Sequence, residues 1–528
     1  MARARNRWGW GYEDATISAA DARAAAPGVM AMLGFGSQEA EEPVALDAVE
    51  LPAPRLRPPR ALAACCSAAS ADRAGHAYGK SYLDCVRAFR GRYDNVPDLV
   101  ARPRDEREVE ALLEWAASAN AAVIPYGGGT SVVGGVEARV PDRFGGAVTL
   151  DLGTLDALHE VDPVSLAARI GAGANGPRLE GQLAPHGLTM RLYPQSFELS
   201  TLGGWIATRA GGHFAMGATH VDDLVEAVRA ITPAGLWESR RLPGSGAGPS
   251  PDRLLLGSEG ILGVITEAWV RVQPRPRHRG SRAVRFGEFL RGADAVRAIA
   301  QSGLGPANLR LIDALEAQQT GAGDGSHAVL VLGFESTDHE VDNDLRRALA
   351  LCGEHGGDLD DRGGGVDGAG AWREAFLRMP YLRDMLLRIG ILADTFESAI
   401  TWDRFPAFHD AVVGATRTAL GEPCRVTCRC THVYPDGPAP YFTVMAPARR
   451  GDEIAQWHEM KRAASDAILA AGGTITHHHA VGRDHRPWYD AQRPDPFAAA
   501  LRAAKAAVDP AGMLNPGVMI DPAVPSDP

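Results

Sequence analysis

Apolar residues recur with the period of a helix in some stretches, and with that of a strand in others, between about residues 95 and 275. The clearest helical stretch follows Asp105, where apolar positions are three and four residues apart and acidic residues lie at the positive end of the helix dipole. The apolar face of this predicted helix consists of Val109, Leu112, Leu113 and Ala116. We therefore expect helices and strands to alternate through this part of the chain.

Proline and glycine mark the ends of several predicted elements. The segment AAVIPYGGGTS at 121–131 predicts a strand that ends at Pro125 and the three glycines beyond it. The segment PRLEGQLAPHG at 177–187 predicts a helix, because Pro177 suits its first turn and Gly187 suits its C-terminal end. Further strands are predicted in AVTLDL at 147–152 and SLAARIGAG at 165–173.

The composition changes at both ends of this region. Residues 1–60 are rich in Ala, Arg and Pro, and LPAPRLRPPR at 51–60 is too dense in proline for regular structure, so we expect an arm rather than a domain. Beyond 274–280 the segments become longer and amphipathic, which indicates a second domain. In this second half, glycine-rich loops are predicted at 321–325 and 361–370, strands at 425–434 and 439–446, and a helix at 452–473 before the polar segment 476–485.

Length and charge limit the possible classes of protein. A chain of 528 residues exceeds one compact core, since single cores stop growing near roughly 250 to 300 residues. Its formal net charge of -11 argues against a general nucleic-acid binder, which needs a basic surface. Acidic residues interrupt the N-terminal stretch before any continuous apolar region, and no run of about 18 apolar residues follows, so we expect a cytoplasmic protein without a membrane-spanning helix.

Four clusters of glycine and hydroxyl residues give the first chemical signal. In the cluster at 127–131, glycines allow backbone amides to approach a diphosphate, and hydroxyls add hydrogen-bond donors. Its spacing fits neither the Walker nor the Rossmann pattern, and one glycine turn after a strand is more often only a turn. Similar clusters follow at 193–212, 217–228 and 257–268. Because a flavin dinucleotide is long and mostly polar, four such loops favour its binding.

The order of these clusters resembles the FAD-binding domain of the vanillyl-alcohol-oxidase and p-cresol-methylhydroxylase type. The resemblance rests on IPYGGGTSVVGG, PQSFELSTLGGWIATRAGG, DDLVEAVRAITPAG and GSEGILGVITEA. Within that superfamily, the later segments ANLRLID, YLRD, TFESAITWDR and THHHAVG resemble the alkylglycerone-phosphate synthase family, whereas relatives that oxidise 2-hydroxy acids resemble G-E-H-G at the histidine position. The similarity extends from about residue 72 to about residue 519.

The resemblance implies an α+β fold, in which a two-subdomain FAD-binding domain is joined to an α/β cap domain with an antiparallel sheet. It divides the chain into an N-terminal arm and helical segment (1–94), the FAD-binding domain (95–276), the cap or substrate domain (277–475) and a C-terminal segment (476–528) whose histidines close on the FAD domain. The loop YGGGTSVVGG has no histidine or cysteine for covalent attachment, so we expect FAD to bind non-covalently.

The resemblance also assigns the flavin contacts. They fall on Pro125, Gly127, Gly128, Gly129, Thr130, Ser131, Pro194, Ser200, Thr201, Gly203, Gly204, Thr208, Arg209, Ala210, Glu259, Gly260, Gly263, Val264 and Ile265.

Catalytic and substrate-binding roles fall in the second half of the chain. Arg383 resembles the arginine that faces the substrate phosphate, and its planar fork suits phosphate oxygens. His478 and His479 resemble histidines beside the flavin, where imidazoles can move protons. Arg310 resembles an arginine that holds a histidine in place, and Tyr441 resembles the catalytic tyrosine. Without the family match, any single arginine or tyrosine here could equally be a solvated or core residue.

The histidine run His477, His478 and His479 is the most discriminating segment, and we place His477 with the substrate-binding residues. Three consecutive side chains in a strand or loop alternate in direction, so at most two of them should share a site. A metal site is the rival interpretation because imidazoles bind zinc. Since no carboxylate or cysteine lies at a fixed short spacing, we predict no metal.

The resemblance implies an enzyme of ether lipid synthesis that exchanges the acyl group of acyl-glycerone phosphate for a fatty alcohol through a flavin N5 adduct. An FAD-dependent D-2-hydroxyacid dehydrogenase or oxidase is the alternative, since it would share the whole FAD domain. A non-catalytic flavin-binding protein is a third class. The expected partners are the two lipid substrates and a second copy in a homodimer, with no nucleic acid, and peripheral membrane contact stays open.

Overall fold

The computed structural model describes residues 3–213, 220–359 and 367–521, and it describes side chains within 367–388 only from 378 onward. The helix α1 begins after Ser18, whose hydroxyl accepts from the Asp21 amide while the Asp21 carboxylate accepts from the Ser18 amide. The proline-dense segment 51–60 forms neither helix nor strand, as predicted, but composition did not indicate α1. The helices before the first sheet are α1 (Ala19–Leu33), α2 (Ser70–Gly75) and α3 (Tyr82–Phe89).

A four-stranded sheet forms the first part of the FAD-binding region. It consists of β1 (Cys66–Ser67), β2 (Leu99–Ala101), β4 (Gly146–Asp151) and β3 (Ala121–Tyr126), in that order, with β2, β4 and β3 parallel. The helix predicted after Asp105 is confirmed as α4 (Glu106–Ser118), and it buries the predicted apolar face. The strand predicted to stop at Pro125 and the three glycines is confirmed as β3, which includes Pro125 and ends at Tyr126, directly before the glycines. At the sheet edge, a missing backbone amide costs little.

A five-stranded antiparallel sheet forms the second part. Its strands, in order, are β5 (Leu158–Asp162), β6 (Ala167–Gly171), β10 (Val264–Arg271), β8 (Val225–Thr232) and β9 (Gly235–Glu238). A short ladder joins β7 (Leu188–Thr189) to β11 (Gln273–Pro274). The helices are α5 (Gly176–Leu183), α6 (Leu202–Thr208), α7 (Val221–Leu224) and α8 (Pro251–Leu255). The two sheets are the two subdomains that the resemblance implies.

The cap region is built on a six-stranded antiparallel sheet, as expected. Its strands, in order, are β12 (His278–Phe286), β14 (Ala328–Ser336), β13 (Asn308–Ile312), β16 (Arg425–Val433), β17 (Pro438–Pro447) and β15 (Ile391–Glu397). The helices are α9 (Phe289–Gln301), α10 (Ala314–Thr320), α11 (Asp342–Glu354), α12 (Asp367–Arg388), α13 (Phe405–Leu420) and α14 (Glu453–Ala470). Most of the predicted glycine-rich loop at 361–370 lies outside the described residues.

One face of this sheet packs against helices and the other lines a cavity. Leu309, Leu311 and Phe442 belong to the hydrophobic core that also holds buried residues of α9, α11, α13 and α14. The alternate residues Arg310 and Tyr441 line the cavity. The two-residue period of a strand therefore separates core residues from site residues.

The C-terminal segment returns to the FAD-binding region after α15 (Arg486–Gln492) and α16 (Asp495–Val508). Leu514 forms a parallel bridge with Val123, and the Asn515 side chain donates to the carbonyl oxygens of Gly135 at 3.0 Å and Glu259 at 2.8 Å. Throughout the described ranges, every helix is too short or too polar to cross a membrane. The predicted domain boundary at 276 falls between β11 and β12.

Candidate active site

A cavity of about 480 Å³ brings together residues from both halves of the chain. Its lining includes the glycine loop 127–131 and residues 194–196 from the FAD-binding region. It also includes five of the six residues predicted for catalysis and substrate binding, namely Arg310, Arg383, Tyr441, His478 and His479. His477 is not among the described lining residues.

The predicted flavin contacts divide into two groups by position. The residues that line the cavity are Gly127, Gly128, Gly129, Thr130, Ser131, Pro194, Ser200, Thr201, Gly204, Thr208 and Ala210. The residues that do not appear in its described lining are Pro125, Gly203, Arg209, Glu259, Gly260, Gly263, Val264 and Ile265. Individual cofactor roles stay predictions for both groups.

Close packing between two loops explains the glycines of the first cluster. A Cβ atom on Gly127 would lie 2.2 Å from the Thr201 hydroxyl, and one on Gly128 would lie 2.1 Å from the Leu199 carbonyl oxygen. Gly129 has a φ of 65°, which favours glycine. The two loops thus pack closely against each other and form a cradle. A side chain at Gly127 or Gly128 would collide with the opposite loop. Such a cradle fits a long polar cofactor such as FAD.

Two residues of the second group have visible structural roles. Arg209 ends α6 and forms an ion pair with Asp222 at 2.6 Å. The Glu259 carboxylate accepts from the amides of Val481 and Gly482, each at 2.8 Å. Burial raises the pKa of Glu259 to about 7, against which these two hydrogen bonds act. Glu259 therefore fastens the chain just beyond the histidines.

Arg383 on α12 is a buried guanidinium with few partners. Its Nη2 donates to the Cys85 sulfur at 3.6 Å, and its buried Nε has no hydrogen-bond partner in the described part of the chain. By contrast, the nearby Arg429 pairs with Glu316 at 2.5 Å and stacks over the Tyr441 ring at 3.9 Å. The Nε of Arg429 also has no hydrogen-bond partner among the described residues, so the two arginines differ in that Arg429 already pairs with a carboxylate, whereas Arg383 contacts a weakly accepting sulfur.

The histidine segment is a bend whose backbone amides converge on Glu397. This carboxylate, at the end of β15, accepts from the amides of His477 at 2.6 Å, His478 at 3.1 Å and His479 at 2.9 Å. The Thr476 hydroxyl also donates to it at 2.6 Å. Two of the three histidines line the cavity, in line with the expectation, but the reason is this bend rather than the alternation of a strand.

The ring environment favours neutral imidazoles at physiological pH. Burial lowers the pKa of His478 to about 3 and that of His479 to about 4, although the Glu397 carboxylate opposes the shift. Tyr441 lies 5.3 Å from His479 between ring centroids, and its hydroxyl donates to Thr395 at 2.9 Å. Burial raises the pKa of Tyr441. The site thus combines imidazoles that are neutral near pH 7, whose protonated forms the Glu397 carboxylate favours, with a phenol that keeps its proton.

Arg310 holds a histidine, as predicted, but this histidine is His213 in the FAD-binding region. The Arg310 guanidinium donates to Nδ1 of His213 at 2.9 Å, and the other ring nitrogen lies 2.9 Å from the Asn308 side-chain amide. Since arginine only donates, Nδ1 accepts, and a proton on Nε2 can be accepted by the Asn308 side chain only through its amide oxygen. Burial and Arg429 lower the pKa of Arg310 to about 9.

His432 is a site residue that the sequence did not indicate. It lines the cavity, is only 2% exposed, and its ring lies 4.9 Å from His477 and 5.0 Å from His478. A register shift between Cys430 and His432 interrupts the ladder of β16 with β17. Such a bulge re-aims side chains, so alternation along the strand could not identify His432.

Three of these histidines form the group that could hold a metal. His432, His477 and His478 each offer a ring nitrogen within 4.8 Å of the others. The ring nitrogens of His477 already have partners, because Nε2 lies 2.8 Å from the Tyr434 hydroxyl and Nδ1 lies 3.2 Å from Nδ1 of His478. The absence of a metal stays a prediction.

The N-terminal region also contributes to the cavity, which its composition did not suggest. Trp10, Val29, Met32 and Leu33 belong to the lining. With them, an apolar part of the wall is formed by Met379, Leu382, Met385, Leu386, Ala393 and Met445. The cavity therefore has a polar part near the histidines and an apolar part beside α1 and α12.

Comparisons with known proteins agree with this architecture. The family "FAD binding domain" matches residues 97–239, and "FAD linked oxidases, C-terminal domain" matches residues 275–519. The chain is 30% identical to alkyldihydroxyacetonephosphate synthase of Dictyostelium discoideum, over 85% of this chain and 77% of that protein. It is 26% identical to a glycolate oxidase subunit of Bacillus subtilis, over 81% of this chain and 90% of that one.

A solved structure of alkyldihydroxyacetonephosphate synthase superposes with a TM-score of 0.81 at 25% identity, covering 97% of each chain. The FAD families and the fold make this protein an FAD-dependent enzyme. The chain belongs to the family of alkyldihydroxyacetonephosphate synthase, the enzyme also called alkylglycerone-phosphate synthase.

Proposed function

We propose that the protein exchanges the acyl group of acyl-glycerone phosphate for a fatty alcohol, a reaction of ether lipid synthesis. The observation on which the proposal rests is Arg383, a buried guanidinium at the cavity wall whose Nε has no hydrogen-bond partner in the described ranges. A buried arginine is stable only when an anion or acceptors satisfy its donors. A substrate phosphate would supply these acceptors in the geometry of its planar fork.

The polar part of the cavity suits the proton transfers of this exchange. An attacking alcohol must lose a proton, and neutral His478 or His479 can accept it. Tyr441 keeps its proton because burial raises its pKa, so it can donate to an oxygen of the substrate. Glu397 fixes the histidine backbone, which places both imidazoles at the cavity.

The glycine cradle at 127–131 and the loop ending at Thr201 are the proposed cofactor site. When bound, FAD supplies the oxidised ring system on which the exchange at the glycerone phosphate carbon depends. The apolar wall beside α1 and α12 is the proposed place for the alkyl chains, since burial of each methylene is favourable by roughly 0.8 kcal/mol.

A homodimer and peripheral membrane contact belong to the same proposal. Membrane contact is supported by Met32 and Leu382, which line the cavity and are 43% and 42% exposed. Co-sedimentation with phospholipid vesicles tests this contact, and gel filtration tests the dimer.

The decisive assay incubates purified protein with palmitoyl-glycerone phosphate and labelled hexadecanol, followed by lipid analysis. We expect labelled alkyl-glycerone phosphate from the wild type. Arg383→Lys keeps the charge but loses the fork, so turnover should fall about tenfold to a hundredfold with flavin still bound. Arg347→Lys is the control, because Arg347 is an exposed residue that pairs with Glu354 at the surface.

The alternative, an FAD-dependent D-2-hydroxyacid dehydrogenase, is weaker because identity to the oxidase relative is lower, but the same preparation tests it. Under anaerobic conditions, a dehydrogenase would lose its visible flavin band on addition of D-2-hydroxy acids and would need an electron acceptor to regain it. That result, together with no reaction of acyl-glycerone phosphate, would replace the synthase proposal.

A further inference from the structure

Residues 4–13 form a closed loop, which we call the N-terminal loop. The Asn6 amide donates to the Gly11 carbonyl at 3.0 Å, and the Glu13 amide donates to the Ala4 carbonyl at 2.9 Å. Inside the loop, the Asn6 side chain accepts from the amides of Trp8 at 3.2 Å and Gly9 at 3.1 Å. These bonds give the loop a defined shape, unlike a loose arm.

One side of the N-terminal loop is fastened to the proposed cofactor cradle. Nη2 of Arg5 donates to the carbonyl oxygens of Gly128 at 2.7 Å and Leu199 at 3.2 Å. These two carbonyls belong to the two loops that form the cradle. Lys80 adds a second link, since its amide donates to the Ser131 carbonyl at 2.6 Å and its ammonium group donates to the Asn6 carbonyl at 2.9 Å.

The other side of the N-terminal loop is fastened to α12. The Trp10 amide donates to the Asp384 carboxylate at 2.6 Å, and Trp10 itself lines the cavity. Gly9 allows this contact, because a Cβ atom there would lie 2.2 Å from the same carboxylate oxygen. Asp384 is the neighbour of Arg383, so the N-terminal loop connects the cradle to the helix of the proposed phosphate-binding arginine.

We propose that the N-terminal loop is part of the cofactor site and that Arg5 is a positioning residue for FAD. Arg5 bridges two carbonyl oxygens that would otherwise be unsatisfied acceptors facing the same space. Gly128 has no room for a Cβ atom against Leu199, so the cradle depends on this contact between the loops. Without Arg5 the two loops separate and bind FAD less tightly. The proposal requires FAD as cofactor and is independent of the lipid substrate.

The test compares wild type, Arg5→Ala, Arg5→Lys and Arg3→Ala as purified holoenzymes and as flavin-free proteins. Arg3 is the matched control, because it pairs with Asp14 at the exposed surface. The measurements are the ratio of flavin to protein, counted in the acid precipitate and its supernatant together, the FAD dissociation constant on rebinding, and the melting temperatures with and without FAD. These measurements do not use substrate.

For Arg5→Ala we expect about tenfold weaker FAD binding, as for loss of charge-assisted hydrogen bonds. The melting temperature of flavin-free Arg5→Ala should stay close to that of the flavin-free wild type. The rise in melting temperature on FAD binding should be smaller in Arg5→Ala than in wild type. Arg5→Lys should bind FAD with an affinity between those of wild type and Arg5→Ala, because both carbonyls are held from Nη2 and the lysine Nζ lies one bond closer to the backbone, where it reaches them less well. Arg3→Ala should match wild type.

Two results would overturn the proposal. In one, Arg5→Ala binds FAD as tightly as wild type. In the other, the melting temperature falls equally with and without FAD, which would make Arg5 a structural residue only. If Arg5→Ala does not accumulate in folded form, Arg5→Lys decides alone, and unchanged FAD affinity in that variant rejects the role.

Discussion

Two buried glutamates hold the two ends of the histidine segment, and their surroundings differ. Glu397 accepts from three consecutive backbone amides and from the Thr476 hydroxyl. Within the described ranges, the Glu259 carboxylate accepts from the two amides of Val481 and Gly482. Glu397 therefore holds the side of the segment that lines the cavity, and Glu259 holds the side that leads away from it.

The two carboxyl groups also differ in the direction of their pKa shifts. Burial alone would raise the pKa of both groups. Attraction to His478, His479 and His477 in their protonated forms, with the hydrogen bond from Thr476, nevertheless holds the pKa of Glu397 below its usual value. Against burial, the Glu259 carboxylate has the two backbone amides of Val481 and Gly482, and its pKa rises to about 7. Donors and nearby titratable groups, rather than burial, thus decide which glutamate is a permanent anion.

Glu397→Gln should have the largest effect. An amide presents one acceptor and two donors to an array made only of donors, so it leaves buried amides unsatisfied. We expect a loss of stability of about 3 kcal/mol or more. Displacement of His478 and His479 should lower turnover by roughly a hundredfold. Urea unfolding and the lipid assay measure the two effects.

Glu110, an exposed glutamate of α4, provides the matched control for this variant. Glu110→Gln should change neither the free energy of unfolding nor the turnover. Nearly unchanged turnover in Glu397→Gln would show that the histidine backbone keeps its position without this anion. Glu397 would then not be the residue that holds His478 and His479 at the cavity.

Glu259→Gln should have a smaller effect that depends on pH. Because the folded-state pKa is raised, wild-type stability contributed by Glu259 is present below about pH 4.5 and is lost as pH rises to about 7. The variant lacks this titration. The free energy of unfolding of the wild type should therefore fall by up to about 3 kcal/mol more than that of the variant between these pH values. The difference in stability between the two proteins becomes smaller by the same amount.

Unfolding curves at several pH values check this behaviour. A destabilisation that stays constant from pH 4.5 to 8 would show that Glu259 is ionised throughout this range. In that case the two glutamates would have the same charge state.

Metal removal should have the smallest effect. The proton-transfer role of the histidine segment assumes that its imidazoles hold no metal. Dialysis against a chelator should therefore leave turnover unchanged, and metal analysis of the purified protein should find no stoichiometric zinc. Loss of turnover that zinc restores would instead make His432, His477 and His478 ligands.

Much of the fold followed from local patterns. The period of three and four residues after Asp105 identified α4, and Pro177 with Gly187 bounded the helical segment that includes α5. The glycines after Pro125 marked the end of β3, which runs one residue past the proline because a strand at the sheet edge tolerates a missing amide. The helix α1 was missed because an alanine-rich segment gives little periodic contrast.

The site was predictable only in part. Resemblance pointed to Arg383, Tyr441 and the histidines, and the structure brings Arg383, Tyr441, His478 and His479 to one cavity. The sequence did not predict His432 as a site residue, because a bulge in β16 turns its side chain toward the cavity. The partner of Arg310 proved to be His213, which lies 97 residues away in sequence.

The sequence by itself determined the FAD-binding loops, the α+β class and the family, because turn residues, apolar periods and motif order act over short stretches. Only the tertiary structure decided that Glu397 meets three histidine amides and that Arg5 bridges Gly128 and Leu199. These contacts join residues 80 to 194 positions apart. They depend on how sheets and loops pack against one another, which no local pattern specifies.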